Sequence, residues 1–353
     1  MHLRRGLRRV RALLTGGKRA AGKRPMEEKD RIFRHIWHRL AHAFERGHLL
    51  QRGRPNAVVL QMGKVASTSI QSALLARGIN AFHSHGLSSP TQRGRLSVLL
   101  EADLTFRLAA HDLRRHIQSV ALHMMLRWYR RHKQYKHHGL KVITLTRDPV
   151  THYPSAFLHR RDSSLPAILS WHRAHANLSP HDPMDETQAL TDFLMELASI
   201  LVDGRPSDGD SGVARCFALV GQRWPEQPVF AAEMHALLVP LTWFDSEITA
   251  IFGMDMLAAP GFRERGWAEQ SNEWVDIMVV RFEELSSLVP EIQRFFGLRD
   301  LVLSRENQTS GRAGAVEIAN AWQATMATPV GQACARELRT SPYGRACGYD
   351  RLT

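Results

Sequence analysis

The chain has 353 residues, and its hydrophobic fraction of 44% and charged fraction of 23% suit a globular protein with one large α/β core or two modest ones. No apolar run approaches the roughly 18 residues of a membrane span, and the three cysteines lack the spacing of a zinc site or a disulfide framework. The net charge of +13 predicts attraction to a polyanion, which could be nucleic acid, an acidic membrane, an anionic cofactor or an acidic glycan.

The N-terminal segment is rich in arginine, lysine and histidine. We predict a disordered basic arm over residues 1–28 and an amphipathic helix over 29–54, where apolar residues recur at helical spacing. The arm could contact anionic lipid or a polyanionic acceptor, or it could be a solvated tail. The apolar patch of the arm is too short for a signal-peptide core. The spacing of the three cysteines allows at most one disulfide, Cys334–Cys347, which suits a reducing compartment. We therefore expect the protein in the cytoplasm, where the arm could reach the inner face of the cell membrane.

A strand, an anion-binding loop and a helix N-terminus are predicted between Asn56 and Ile70. The apolar run 57–60 is typical of a strand, and a helical pattern begins at the hydroxyl-rich segment 67–69. Backbone N–H groups at such a junction favour an anion, and Lys64 adds a positive charge. A nucleoside-triphosphate P-loop would need glycine at position 58 and serine or threonine at position 65, but both are valine.

This loop resembles the 5′-phosphosulfate loop of sulfotransferases, whose pattern is Lys-x-(Gly/Ala)-(Ser/Thr)-Thr-(Ser/Thr). The resemblance implies that the donor 3′-phosphoadenosine 5′-phosphosulfate binds here. The implied contacts come from seven consecutive residues: Gly63, Lys64, Val65, Ala66, Ser67, Thr68 and Ser69.

A second strand, 79–83, ends in a pair of histidines, His83 and His85. Ligands of open parallel sheets bind beyond the carboxyl ends of the strands, so this pair is expected to face the same crevice as Lys64. Histidine can accept a proton near neutral pH. We take His85 as the first candidate for a catalytic base and His83 as the second.

A third apolar strand, 141–146, ends in Arg147-Asp148-Pro149, and Ser155 follows eight positions after the arginine near the start of a helix. This segment also resembles sulfotransferases, which bind the 3′-phosphate of the donor with an arginine and a serine at that spacing. A guanidinium matches a phosphate bidentately, and the serine would add a hydrogen bond from the first helical turn.

Later segments extend the resemblance to the capsular polysaccharide synthesis family, a bacterial family of the sulfotransferase superfamily. They are the Trp-Phe-Asp-x-Glu pattern at 243–247, Phe-Gly-Met-Asp at 252–255, the Arg-Phe-Glu-Glu-Leu turn after the strand 275–280, and Ser-Pro-Tyr at 341–343. Glycine replaces the proline that often precedes the lysine, and the Gly-x-x-Gly-x-Trp-Lys element of aryl and steroid enzymes is lacking. This difference argues against a small hydrophobic acceptor.

We therefore expect residues 55–353 to form one α/β domain, a three-layer, P-loop-like sulfotransferase fold with a mostly parallel sheet and helices on both faces. Loop signals surround a helix at 186–202 and predict an insertion over 162–227 that could carry an acceptor site. The expected reaction moves a sulfuryl group to a carbohydrate or glycolipid hydroxyl without a metal and without specific nucleic-acid binding. A small-molecule or sugar kinase on a related scaffold, or a non-catalytic polyanion-binding protein, are the alternatives.

Overall fold

The computed structural model of the protein describes residues 56–92, parts of 119–130, 140–179, 181–303 and 314–352. The basic arm predicted over 1–28 and the amphipathic helix predicted over 29–54 lie outside the described residues.

A five-stranded sheet forms the centre of the described fold, in the order β2-β1-β3-β5-β4. All neighbouring strands are parallel except β4, which runs antiparallel to β5 at the edge of the sheet. The strands are β1 (Asn56–Leu60), β2 (Asn80–Ser84), β3 (Leu140–Thr146), β4 (Trp267–Ser271) and β5 (Val275–Arg281). The prediction of a mostly parallel α/β sheet is confirmed, and the arrangement is compatible with three layers.

The parallel strands have the nearly continuous apolar composition expected of strands that are covered on both faces. Residues 57–60 of β1 and 142–145 of β3 have no exposed surface. Val58 of β1 pairs with Phe82 of β2 on one side and with Val142 of β3 on the other. This register sets the carboxyl ends of the three strands side by side.

Helices make up most of the remaining described chain. They are α1 (Ser67–Ala76), α2 (Pro149–His175), α3 (Glu186–Gly204), α4 (Asp210–Arg223), α5 (Pro228–Trp243), α6 (Phe262–Arg265), α7 (Val289–Phe296), α8 (Ala315–Ala327), α9 (Pro329–Arg339) and α10 (Pro342–Cys347). A π-helical segment, Phe244–Thr249, continues α5 and leads into a last α-helical turn, Ala250–Phe252. Short 3₁₀ turns occupy Pro206–Asp208, Phe282–Glu284 and Tyr349–Leu352.

The helix predicted at 186–202 is confirmed as α3, and Pro183 lies in the connection before it, but other loop signals of the 162–227 segment are wrong. Helix α2 continues to His175 through Pro166, and the Asp-Gly-rich run is divided between a 3₁₀ turn and the first turn of α4. Burial outweighs the local signals, because the α2 residues Phe157, Ile168 and Trp171 are buried in a helical core. Gly209 has φ 74° and allows the sharp change of direction before α4.

The described residues form two hydrophobic cores. One surrounds the sheet, and the other lies among α2, α3, α4, α5, α8 and α9. All three cysteines are buried free thiols, so the Cys334–Cys347 bridge that the sequence left open is not formed. Among the described helices, none combines the length and apolarity that crossing a membrane requires.

Candidate functional site

The carboxyl ends of β2, β1 and β3 meet at one edge of the sheet. The loop 61–66 leaves β1 and leads into α1, His85 follows β2, and Arg147 follows β3. Open α/β sheets bind ligands beyond such an edge. The three groups of residues predicted from separate parts of the sequence therefore lie on adjacent strand ends.

The loop after β1 has an unusual backbone. Gly63 has φ 105°, and the non-glycine residues Lys64 and Ala66 have φ values of 59° and 57°. Positive φ values are uncommon outside glycine, and a turn that contains them can direct backbone N–H groups toward an anion. Val65 between them is completely buried, so its side chain anchors the loop to the core instead of facing a ligand.

Helix α1 begins directly after this loop and presents its hydroxyl residues in the first turn. Ala66 is its N-cap and makes no side-chain capping hydrogen bond. The first-turn N–H groups of a helix have no intrahelical acceptor, and they carry the positive end of the helix dipole. Ser67 and Ser69 are buried and Thr68 is exposed. This ten-residue helix thus places three hydroxyl-bearing residues and the positive end of its dipole directly after the loop.

Arg147 joins the end of β3 to the loop. Its Nη1 donates to the backbone oxygen of Lys64 at 2.6 Å, and its guanidinium lies 4.7 Å from the centre of the Phe282 ring. Burial lowers the pKa of Arg147, and the nearby Glu283 opposes that shift. Its Nε is buried without a hydrogen-bond partner in the described part of the chain.

Ser155 lies in the second turn of α2, as its seventh residue, and is partly exposed. The expectation of a first-turn position is wrong, because Asp148 caps a helix that begins at Pro149. Ser155 remains on the helix that starts immediately after Arg147.

The backbone of Arg147 is held by C-terminal residues. The Tyr343 hydroxyl accepts from Arg147 N–H at 3.0 Å and donates to its carbonyl at 2.9 Å. Glu283 accepts from Asp148 N–H at 2.9 Å and from the Tyr349 hydroxyl at 2.8 Å. Burial raises the pKa of Glu283, and the Asp148 N–H counteracts that rise. Both the Arg-Phe-Glu-Glu-Leu turn and the Ser-Pro-Tyr segment therefore contact the Arg-Asp-Pro element.

The two histidines that follow β2 lie beside the anion loop. The rings of His83 and His85 pack edge to face, with centroids 4.6 Å apart. A Cβ placed on Gly63 would lie 3.7 Å from His85 Nδ1. His85 is exposed and His83 is half-buried. Both rings contact Gln61, a residue not predicted from the sequence to belong to the site.

The segment after His85 is fixed by residues of the Trp-Phe-Asp-x-Glu pattern. Trp243 Nε1 donates to the His85 carbonyl at 2.9 Å. Glu247, on the π-helical segment, is buried and accepts four hydrogen bonds, from the N–H groups of Leu87 and Ser88 and the hydroxyls of Ser88 and Thr91. Segments of π-helix occur frequently at functional sites. Here the segment fixes the backbone that carries His85.

His152 is a second residue that sequence reasoning missed. It lies in the first turn of α2, is 3% exposed, and its Nε2 contacts the Gly63 carbonyl at 3.2 Å. Burial lowers its pKa from 6.5 to about 3, and the charge of Arg147 lowers it further. His152 is therefore a neutral hydrogen-bond donor to the loop. The sequence signal that could have identified it is a histidine at the fourth position of the helix that begins at Pro149.

We expect His152 to make folding stability depend on pH. Its folded-state pKa is depressed, so its contribution is complete above the ordinary value of 6.5 and is lost as pH falls toward about 3. Between about pH 7 and about pH 5 the free energy of unfolding should fall by about 2 kcal/mol from this residue alone. Urea unfolding of the wild type and of His152→Gln at both pH values measures the difference. An equal loss in the two proteins would contradict the assignment.

The sequence signal for Gln61 is a polar residue between an apolar strand and Gly63, but its contacts with the histidines could not be predicted from that signal.

Among the described residues, no group of three or more His, Cys, Asp and Glu side chains is arranged to hold a metal ion. Comparison of the chain with protein-family models, curated proteins and solved structures finds no match.

Proposed function

We propose that this protein is a sulfotransferase that moves the sulfuryl group of 3′-phosphoadenosine 5′-phosphosulfate to a hydroxyl of a carbohydrate acceptor, such as a cell-surface polysaccharide or glycolipid. The observation that carries the proposal is the 2.6 Å contact between Arg147 Nη1 and the Lys64 carbonyl. It brings two motifs, 83 residues apart in the chain, into one site. Each motif resembles a phosphate-binding element of the same donor.

The residues fit the two anionic ends of this donor. The positive-φ loop at Lys64 and Ala66 and the uncapped N-terminus of α1 suit the 5′-phosphosulfate. Arg147, with its buried Nε lacking a partner among the described residues, suits the 3′-phosphate, and Ser155 follows on α2. Gly63 contributes the turn and not its amide, because its N–H already donates to Gln61 Oε1 at 2.5 Å.

The chemistry needs charge stabilisation on the leaving oxygen and a base for the acceptor hydroxyl. Lys64 and the first turn of α1 stabilise the negative charge that grows on the bridging oxygen as its bond to sulfur breaks. His85 or His83 takes the proton while the acceptor oxygen forms its new bond to sulfur. The products are the sulfated acceptor and adenosine 3′,5′-bisphosphate.

A kinase would bind ATP with magnesium, and its P-loop would place a serine or threonine at position 65, where this chain has a buried valine. We expect adenosine 3′,5′-bisphosphate to raise the thermal unfolding temperature and ATP with magnesium to leave it nearly unchanged. The bisphosphate shift should survive a chelator. A magnesium-dependent shift by ATP alone would favour the kinase.

Turnover is tested with sulfur-labelled donor and a panel of polysaccharides and glycolipids, with mass spectrometry to detect the sulfate adduct. A sulfated glycan would support the full proposal. Bisphosphate binding without transfer to any acceptor on the panel would instead favour a non-catalytic polyanion-binding protein.

A further inference from the structure

Gln61 lies directly after β1, and its side chain is completely buried between the anion loop and the histidine pair. Its Oε1 accepts the Gly63 N–H at 2.5 Å. A backbone N–H can only donate, so this contact fixes which end of the amide is oxygen. Gln61 Nε2 must therefore face the imidazoles.

The amide determines which nitrogen of His83 carries its proton. Gln61 Nε2 lies 3.0 Å from His83 Nε2. The amide nitrogen can only donate, so His83 Nε2 must be an unprotonated acceptor and the ring proton is on Nδ1. A proton arriving at His83 Nε2 would set two donors against each other. His83 is thus poorly placed to accept a proton through this nitrogen.

His85 is placed differently. Its Nδ1 lies 3.2 Å from the backbone oxygen of Gln61 and 3.3 Å from Gln61 Nε2. The Gln61 amide carries two hydrogens, and one of them is directed to His83. We assign a proton to His85 Nδ1, which donates it to the Gln61 carbonyl, because the carbonyl is the nearer of the two partners of that nitrogen. This tautomer leaves a lone pair on Nε2 of an exposed ring, and protonation there would keep the contact to the carbonyl intact.

We propose that Gln61 is a positioning residue that makes His85, through Nε2, the proton acceptor in preference to His83, and that links this choice to the conformation of the anion loop at Gly63. The inference rests on the proposed function for the identity of the reaction. The His83 tautomer follows from its hydrogen bond with Gln61, and the His85 tautomer follows from assigning the Nδ1 proton to the contact with the Gln61 carbonyl.

Long-range ¹H–¹⁵N NMR of the full chain with labelled histidine reads the tautomers directly, without donor or acceptor. At about pH 8, where imidazoles are neutral, both His83 and His85 should carry the proton on Nδ1. His83→Gln and His85→Gln assign the signals. A proton on His85 Nε2 would overturn the inference whether or not the protein is a sulfotransferase, and absence of sulfuryl transfer with the expected tautomers would overturn only the function.

Gln61→Glu is the sharpest variant, because it keeps an acceptor for Gly63 and replaces the amide donor by a second acceptor. The neutral His83 should then move its proton to Nε2. Saturated turnover should fall roughly tenfold or more, because a buried carboxylate stabilises a neighbouring imidazolium, which cannot accept a proton, while bisphosphate affinity stays within about threefold. Weakened bisphosphate binding with unchanged tautomers would mean that Gln61 only shapes the loop.

The two histidine variants complete the test. His85→Gln should lower saturated turnover roughly a hundredfold or more, as for a lost general base, and His83→Gln should lower it far less. The reverse order would assign the base to His83 and contradict the proposal.

Discussion

Replacing Lys64 by alanine is expected to lower turnover at saturating donor by roughly a hundredfold or more, as for loss of a donor to a developing oxyanion. In the proposed reaction the Lys64 charge stabilises the bridging oxygen, whose negative charge grows as the sulfuryl group departs. The steric cost of the φ of 59° at this position is similar for lysine and alanine, because both have a Cβ, so the loop should keep its shape. The Lys64 carbonyl also keeps its contact with Arg147.

Two measurements separate this effect from a general loss of charge. Saturated turnover and bisphosphate affinity are determined for Lys64→Ala and for Arg77→Ala, which removes a charge directly after the opposite end of α1. Arg77 is exposed and forms a surface ion pair with Asp300 at 2.7 Å. Such pairs contribute about 0–1 kcal/mol, so Arg77→Ala should behave like the wild type. Full turnover by Lys64→Ala would remove Lys64 from the chemistry.

The four parallel strands could be predicted from the sequence, and β1, β3 and β5 most directly, because each is a mostly apolar run covered on both faces. The polar edge strand β4 was not predicted. Once the strand ends were placed, the crevice rule for open sheets predicted that His83 and His85 would lie near Lys64. The structure places His85 beside Gly63, in agreement with that expectation. Local patterning was sufficient here because the strand ends alone determine which residues share an edge.

Other features depend on contacts that no local pattern contains. The helices of the 162–227 segment form despite Pro166 and Gly209 because their apolar faces are buried among helices distant in sequence. The roles of Gln61 and His152 likewise depend on partners 22 and 89 residues away. Glycine and proline report local backbone preference, which burial in a tertiary core can override.

Replacing Arg147 by alanine is expected to weaken binding of adenosine 3′,5′-bisphosphate about tenfold to a hundredfold, the effect of losing a charge-assisted contact of about 1.5–3 kcal/mol. The 3′-phosphate carries the same charge before, during and after transfer. An interaction of that kind stabilises the ground and transition states about equally, so saturated turnover should change much less than affinity. Isothermal titration with the bisphosphate and turnover with saturating donor measure the two quantities.

Arg147→Lys distinguishes the guanidinium from its charge. Arg147 uses Nη1 for the Lys64 carbonyl while its buried Nε has no partner among the described residues, and lysine cannot reproduce this planar fork. We therefore expect Arg147→Lys to recover only part of the lost affinity. Loss of turnover in both variants with unchanged bisphosphate affinity would mean that Arg147 acts by holding the Lys64 loop, and that the 3′-phosphate is bound elsewhere. Unaltered affinity and turnover in Arg147→Ala would remove the Arg-Asp-Pro element from the site, and with it the main support for this donor.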